Sequence, residues 1–315
     1  MNLPVNFDMI LEASERIKPY IHKTPVLTSQ SINEICDTEV YFKCENFQRT
    51  GSFKYRGACN AVFSLDSMEA QRGVVTDSSG NHAAAISKAA GISGIPAYIV
   101  MPSTTPMAKR NAVKTFGGHI TLCEPILTNR LETLKKVAAE TGATMIHHSE
   151  HPHVIAGQGT SSHEFLNEIP DLDFVLTSIS GGGLLSGTSI TVKHIDSNIK
   201  VIGCEPKNAD DAYRSLKEGK IVTIENPKTI ADGLRMPLGE NTFSILRHLL
   251  DEMVLVSEEE IVAAMRLIWE RLKIIIEPSS AVAFAPVLNK KLDFKGKKVG
   301  VILSGGNVDL SKLPF

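Results

Sequence analysis

Phe174-Val-Leu-Thr-Ser-Ile-Ser-Gly-Gly-Gly-Leu-Leu-Ser-Gly187 decides how the chain folds. The apolar run at 174–179 reads as a buried strand, and 183–195 after it as a helix. Between them Ser180 precedes three consecutive glycines, which are costly at a helix head unless backbone must approach something closely. A phosphate suits such a turn, because free backbone N–H groups and the positive end of the helix dipole converge on it. The spacing is neither GxGxxG nor GxxxxGK followed by Ser or Thr, which argues against a dinucleotide or a P-loop nucleotide. A plain tight turn is the alternative here.

The same strand-turn-helix rhythm runs outward in both directions. Strands at 73–76, 97–101, 119–123 and 143–147 alternate with helical stretches at about 80–91, 105–116 and 129–141. A second series has strands at 174–179, 201–204 and 299–303, with helices at about 156–169, 183–195 and 258–273. The last is well marked: Ser257 and Glu260 form a capping box, and Ile261, Met265, Ile268 and Leu272 make one apolar stripe. A helix at 8–20 and a strand at 40–44 precede both series. This alternation predicts an α/β fold with twisted, mostly parallel sheets flanked by helices. The block 74–149 reads as a small unit inserted into a larger one formed by 1–73 and 150–315.

Composition narrows the function. At 315 residues and 43% hydrophobic, the chain can bury a large core. Net charge is −2 with scattered basic residues, so no nucleic-acid partner is expected. No run approaches the roughly 18 apolar residues of a membrane span, and the start lacks a signal-peptide pattern. Five widely spaced cysteines without CxxC pairs argue against a disulfide framework or a zinc site. The expectation is a soluble, reduced, cytoplasmic protein.

Three further stretches carry chemistry. Gly51-Ser-Phe-Lys-Tyr-Arg-Gly-Ala58 places Lys54 near a helix start, where the dipole disfavours an ammonium and lowers its pKa. Such a lysine can be a nucleophile or Schiff-base partner. Asp77-Ser-Ser-Gly-Asn-His82 runs from a strand into an Ala-rich helix and makes an anion site; a simple Ser or Asn N-cap is the competing account. Ser304-Gly-Gly-Asn-Val-Asp309 closes the last strand. Three such turns and one lysine fit a phosphate-bearing cofactor at the mouth of a parallel sheet.

Ser-Phe-Lys-Tyr-Arg-Gly-Ala at 52–58, Ser-Ser-Gly-Asn-His at 78–82, Gly-Gly-Gly-Leu at 181–184 and Ser-Gly-Gly-Asn-Val-Asp-Leu at 304–310 resemble the fold-type II pyridoxal-phosphate enzymes. The serine racemase and serine/threonine dehydratase branch, with its tryptophan synthase β-like fold and an active site between a large and a small domain, matches best. The resemblance implies that Lys54 joins pyridoxal 5'-phosphate as a Schiff base, with Phe53 beside it. Gly181, Gly182, Gly183 and the Leu184 backbone cradle the phosphate. Asn81 meets the ring hydroxyl and Ser304 the pyridine nitrogen, and Gly233 and Glu277 complete the cofactor's surroundings. Ser78, Ser79, Asn81, His82 and Arg130 hold a small hydroxy amino acid. Ser180 departs from the usual four-glycine loop.

Ser79 is the informative position, since threonine dehydratases of this family tend to carry alanine there and serine racemases serine. Racemisation needs an acid–base group on each face of Cα, which makes Lys54 and Ser79 the catalytic pair. The resemblance therefore implies a racemase interconverting L- and D-serine and dehydrating serine to pyruvate and ammonia. The alternative is an L-threo-3-hydroxyaspartate or L-threonine dehydratase. It further implies a divalent cation (Mg²⁺, Mn²⁺ or Ca²⁺) held by Glu205, the Ala209 carbonyl and Asp211, oxygen ligands that suit a hard ion. It also implies a homodimer and a block 74–149 that closes over substrate. ATP activates the animal enzymes; Thr50 and Lys273 match that site, but Ala84 and Phe116 replace a glutamine and a tyrosine, which weighs against ATP here.

Overall fold

The computed structural model describes residues 3–315. In chain order the first elements are α1 (Phe7–Ile17), β1 (Val26–Leu27), α2 (Gln30–Cys36), β2 (Glu39–Cys44), α3 (Lys54–Phe63) and α4 (Ser67–Arg72). Next come β3 (Val74–Asp77), α5 (Asn81–Ser93), β4 (Ala97–Pro102), α6 (Met107–Thr115), β5 (His119–Cys123), α7 (Leu127–Thr141) and β6 (Thr144–Met145). They are followed by α8 (Pro152–Glu168), β7 (Phe174–Ser178), α9 (Gly183–Ile195), β8 (Lys200–Pro206), α10 (Asp211–Glu218) and α11 (Glu240–Leu249). The chain finishes with β9 (Glu252–Val256), α12 (Glu258–Leu272), α13 (Pro278–Ala281), α14 (Ala285–Leu288) and β10 (Lys298–Leu303).

Two sheets result. One has six strands in the order β1-β2-β10-β7-β8-β9, and the other four in the order β5-β4-β3-β6. Every pairing is parallel except β1 with β2. All four strands of the second sheet fall between residues 74 and 145. Parallel strands must be covered on both faces, and the buried cores of Val, Ile and Leu on either side of β7 and β10 meet that demand. The expected stretch 143–147 pairs at Thr144 and Met145 only, because β6 is an edge strand bonded to β3 alone.

Helices α3, α8 and α9 pack with almost no side-chain layer between them. A methyl added to Gly157 of α8 would lie 2.6 Å from Gly57 Cα, and one added to Gly187 of α9 would lie 2.6 Å from both Gly159 N and Ile155 O. Only glycine permits that approach. Beneath α3, Arg56 is fully buried and bonds to Glu45 (2.8 Å) and Glu164 (2.7 Å), while buried Lys43 reaches the same Glu164 at 2.9 Å. Burial alone would push Arg56 down, but Glu45 and Glu164 reverse the shift and hold it raised. All five cysteines are buried free thiols. No described helix is long and apolar enough to cross a membrane.

Candidate active site

The carboxyl ends of β3, β7 and β10 converge on one cavity of about 370 Å³. Its walls include Phe53, Lys54, Ser78, Ser79, Asn81, His82, Arg130, Gly181, Gly182, Gly183, Leu184, Gly233, Glu277 and Ser304. Every cofactor and substrate residue expected from sequence is in that wall. Open α/β sheets place ligands there because strand ends and helix heads leave unpaired backbone donors.

Lys54 opens α3, and Phe53 N donates to Ser304 O (3.0 Å), which fastens this start to the end of β10. Lys54 Nζ donates to the His148 carbonyl at 3.1 Å and lies 5.0 Å from the Phe53 ring centroid. Burial lowers its pKa to about 8, with Glu277 opposing. The depression expected from sequence is therefore present, but its main cause is desolvation rather than the helix dipole. Two histidines beside the amine, His82 and His148, are held well below their ordinary range, first by burial and then by Lys54. Both are neutral at physiological pH.

The glycine turn is tight. Gly182 has φ +84°, and a Cβ on Gly181 would lie 2.4 Å from Ser149 Oγ. Ser180 Oγ donates to Met236 O (3.1 Å) and accepts from Met236 N (3.0 Å), tying the turn to the loop that carries Gly233. At the head of α5, Gly80 occupies the N-cap with no side-chain cap bond; Gly80 N itself donates to Ser78 Oγ (3.3 Å), while the first-turn N–H groups of α5 have no side-chain cap. Asn81 instead bonds Glu277 (3.0 Å) and Asn307 (2.9 Å). Arg130 lies against Asp77, Nη2 to Oδ1 at 2.9 Å.

These residues fit pyridoxal phosphate. An enclosed lysine of lowered pKa, an anion-binding glycine turn and the buried hydroxyl of Ser304 surround one cavity. Sequence reasoning gave no role to Asp77, Lys109, His148, Ser149 or Asp232, all of which line the same wall. Asp77 sat inside a quoted motif, but its ion-pair partner Arg130 lies 53 positions away, and Lys109, the partner of Asp232, lies 123 away.

A second polar centre lies at the end of β8. Glu205 is buried and accepts from Ala212 N (3.0 Å) and Tyr213 N (2.8 Å). Asp211 is buried with Oδ2 lacking any hydrogen-bond partner. Burial pushes Asp211 up to about 6 and Glu205 well above its usual range, Asp211 adding to the latter. Two enclosed carboxylates, one with an orphaned oxygen, are donors of the kind a hard divalent cation takes.

The chain matches the family described as "Pyridoxal-phosphate dependent enzyme" over residues 17–305. It is 50% identical over 315 residues to the beta-hydroxyaspartate dehydratase of Paracoccus denitrificans (strain Pd 1222), covering 100% of each chain. It is 50% identical over 308 residues to the serine racemase of Dictyostelium discoideum, covering 96% of this chain and 95% of that one. The structure of maize serine racemase matches with a TM-score of 0.96 at 44% identity, over 98% of this chain and 95% of the other. With the lysine, glycine turn and sheet order already described, these matches establish that the chain belongs to the fold-type II pyridoxal-phosphate dependent enzymes.

Proposed function

We propose that the chain is a serine racemase that also dehydrates serine to pyruvate and ammonia. The observation that carries this reading is that Lys54 and Ser79 line one cavity, together with the glycine turn and the open head of α5. Bound pyridoxal phosphate supplies an electron sink that acidifies the Cα–H bond of an amino acid joined to it. Gly181, Gly182, Gly183 and the Leu184 backbone hold its phosphate, while Asn81, Ser304, Phe53, Gly233 and Glu277 pack about the ring. Ser78, Asn81, His82 and Arg130, with the free N–H groups of α5, orient the substrate carboxylate. Lys54 takes the Cα proton on one face, and Ser79 returns one on the other to give the opposite enantiomer. When the β-hydroxyl departs instead, net loss of water and later hydrolysis give pyruvate and ammonia.

Glu205, the Ala209 carbonyl and Asp211 hold the divalent cation in a structural or activating role. The block 74–149 moves as a unit to shut out water, and the enzyme works as a homodimer. ATP activation has only Thr50 and Lys273 behind it and is not part of this reading. The Paracoccus relative, similar over its full length, favours a second reading in the same pocket: dehydration of L-threo-3-hydroxyaspartate.

Product analysis separates the two. The holoenzyme with Mg²⁺ is incubated with L-serine, L-threonine and L-threo-3-hydroxyaspartate, and D-serine and keto acids are quantified. D-serine that disappears in Ser79→Ala while pyruvate persists supports the two-face mechanism. Keto acid without D-serine from the wild type overturns it in favour of a dehydratase.

A further inference from the structure

Four cations line the cavity: Lys54, Lys109, Arg130 and Arg235. Two already have carboxylate partners, since Lys109 Nζ lies 2.8 Å from Asp232 and Arg130 Nη2 lies 2.9 Å from Asp77. Lys54 belongs to the cofactor. Arg235 differs from the rest, for among the described residues it forms no ion pair; its Nη2 donates to the backbone carbonyl of Thr229. That single bond restrains the guanidinium while leaving its remaining donors open.

The segment beneath Arg235 is fixed at both ends. Gly233 N donates to Ser279 Oγ (3.1 Å), and Met236 N and O both bond Ser180 Oγ. Arg235 is solvent-exposed on a tethered loop that forms a wall of the cavity beside the glycine turn. An unneutralised, oriented cation in a concave site attracts an anion and adds directional donors for it. Serine has nothing to offer it, because its single carboxylate goes to the open head of α5.

We propose that Arg235 receives a second carboxylate carried on Cβ of the substrate. Arg235 is then the residue that serves the second reading above, a 3-hydroxy dicarboxylic amino acid in the same pocket, of which serine is the form lacking that group. This rests on the reading above, with the same cofactor, Lys54 chemistry and α-carboxylate site. Lys109 serves this purpose less well, since a substrate would have to displace Asp232 from it, and Arg130, already against Asp77, is assigned to the α-carboxylate.

The test compares kcat and KM for L-threo-3-hydroxyaspartate and L-serine in the wild-type holoenzyme, Arg235→Ala and Arg235→Lys. Visible absorbance of the cofactor checks that each variant is folded and loaded. The ratio of kcat/KM, hydroxyaspartate over serine, exceeds one in the wild type. It falls roughly 10- to 100-fold in Arg235→Ala, the size of one lost charge-assisted hydrogen bond, mainly through KM. Arg235→Lys recovers part of the loss, and succinate inhibition weakens in parallel with the hydroxyaspartate KM. Equal losses on both substrates, or an unchanged ratio, overturn the role of Arg235 while leaving the enzyme reading intact. A loaded wild type that turns over neither substrate sinks both.

Discussion

Asn81 Nδ2 donates to both carboxylate oxygens of Glu277, at 3.0 and 3.3 Å, across 196 positions of sequence. This joins the head of α5, in the four-stranded unit, to the segment leading into α13. Burial pushes Glu277 up to about 7, Asp232 adding to it and the Asn81 bond opposing, while burial lowers Lys54 to about 8. The two shifts oppose each other in pH. Folded Glu277 binds a proton that the unfolded chain has released, so stability falls as pH rises from about 4.5 to about 7. Folded Lys54 has released a proton that the unfolded chain keeps, so stability rises again from about 8 towards 10.5. Urea midpoints of the cofactor-free protein should therefore pass through a minimum between about 7 and 8, and Glu277→Gln should flatten the acid limb. A midpoint that does not change across that limb in the wild type would contradict the desolvation account.

Lys54 also sets how the cofactor is captured. Only the neutral amine attacks an aldehyde, so the rate at which cofactor-free protein takes up pyridoxal phosphate should climb with pH through about 8 and then level. Stopped-flow visible absorbance follows it. Lys54→Arg should show no covalent capture, and a wild-type profile still climbing at pH 10 would mean that the amine is not desolvated as described.

Arg56 holds two carboxylates beneath the helix that carries Lys54. Arg56→Leu leaves Glu45 fully buried without its partner, and breaking such a pair costs about 3–5 kcal/mol. Urea denaturation of the cofactor-loaded variant measures this. A loss below about 1 kcal/mol would show that water reaches Glu45 and relieves it.

Burial raises both Glu205 and Asp211, with Arg214 opposing at Asp211, and Asp211 Oδ2 has no hydrogen-bond partner. Chelation should lower Tm and Mg²⁺ or Ca²⁺ restore it, with a stability gain of about 2.7 kcal/mol once free cation is roughly a hundredfold above Kd. Asp211→Asn should abolish that response. A thermal shift identical in the variant would place the cation elsewhere.

Local chemistry is what the sequence made legible. The glycines at 181–183 and the turn at 78–82 could be found because strand, turn and helix head are contiguous, and Lys54 and the turn at 304–309 because each stands beside a short, recognisable local pattern. The capping box of Ser257 and Glu260 and its apolar stripe were visible for the same reason, and Ile261, Met265 and Ile268 are fully buried. Short elements escaped: α2, α4, α10 and α11, of six to ten residues, lack length for a firm period, and β9 is an edge strand of five. Long-range pairs escaped too. Nothing local in Asp77 announces Arg130, and nothing in Asn81 announces Glu277, because tertiary folding alone brings them together.

The backbone contacts of Gly57 with Gly157 and of Gly159 with Gly187 leave α3, α8 and α9 no room to slide. Lys54 and the glycine turn ride on the outer two of these helices, so their separation is frozen by a contact that no side-chain substitution can ease. Drift in such a chain cannot retune the distance between amine and phosphate seat. It is confined to the rim, where the loops at 78–82 and 229–239 can exchange side chains without moving the helices. A lineage using this scaffold can change which amino acid it accepts in one or two steps while its central chemistry stays fixed.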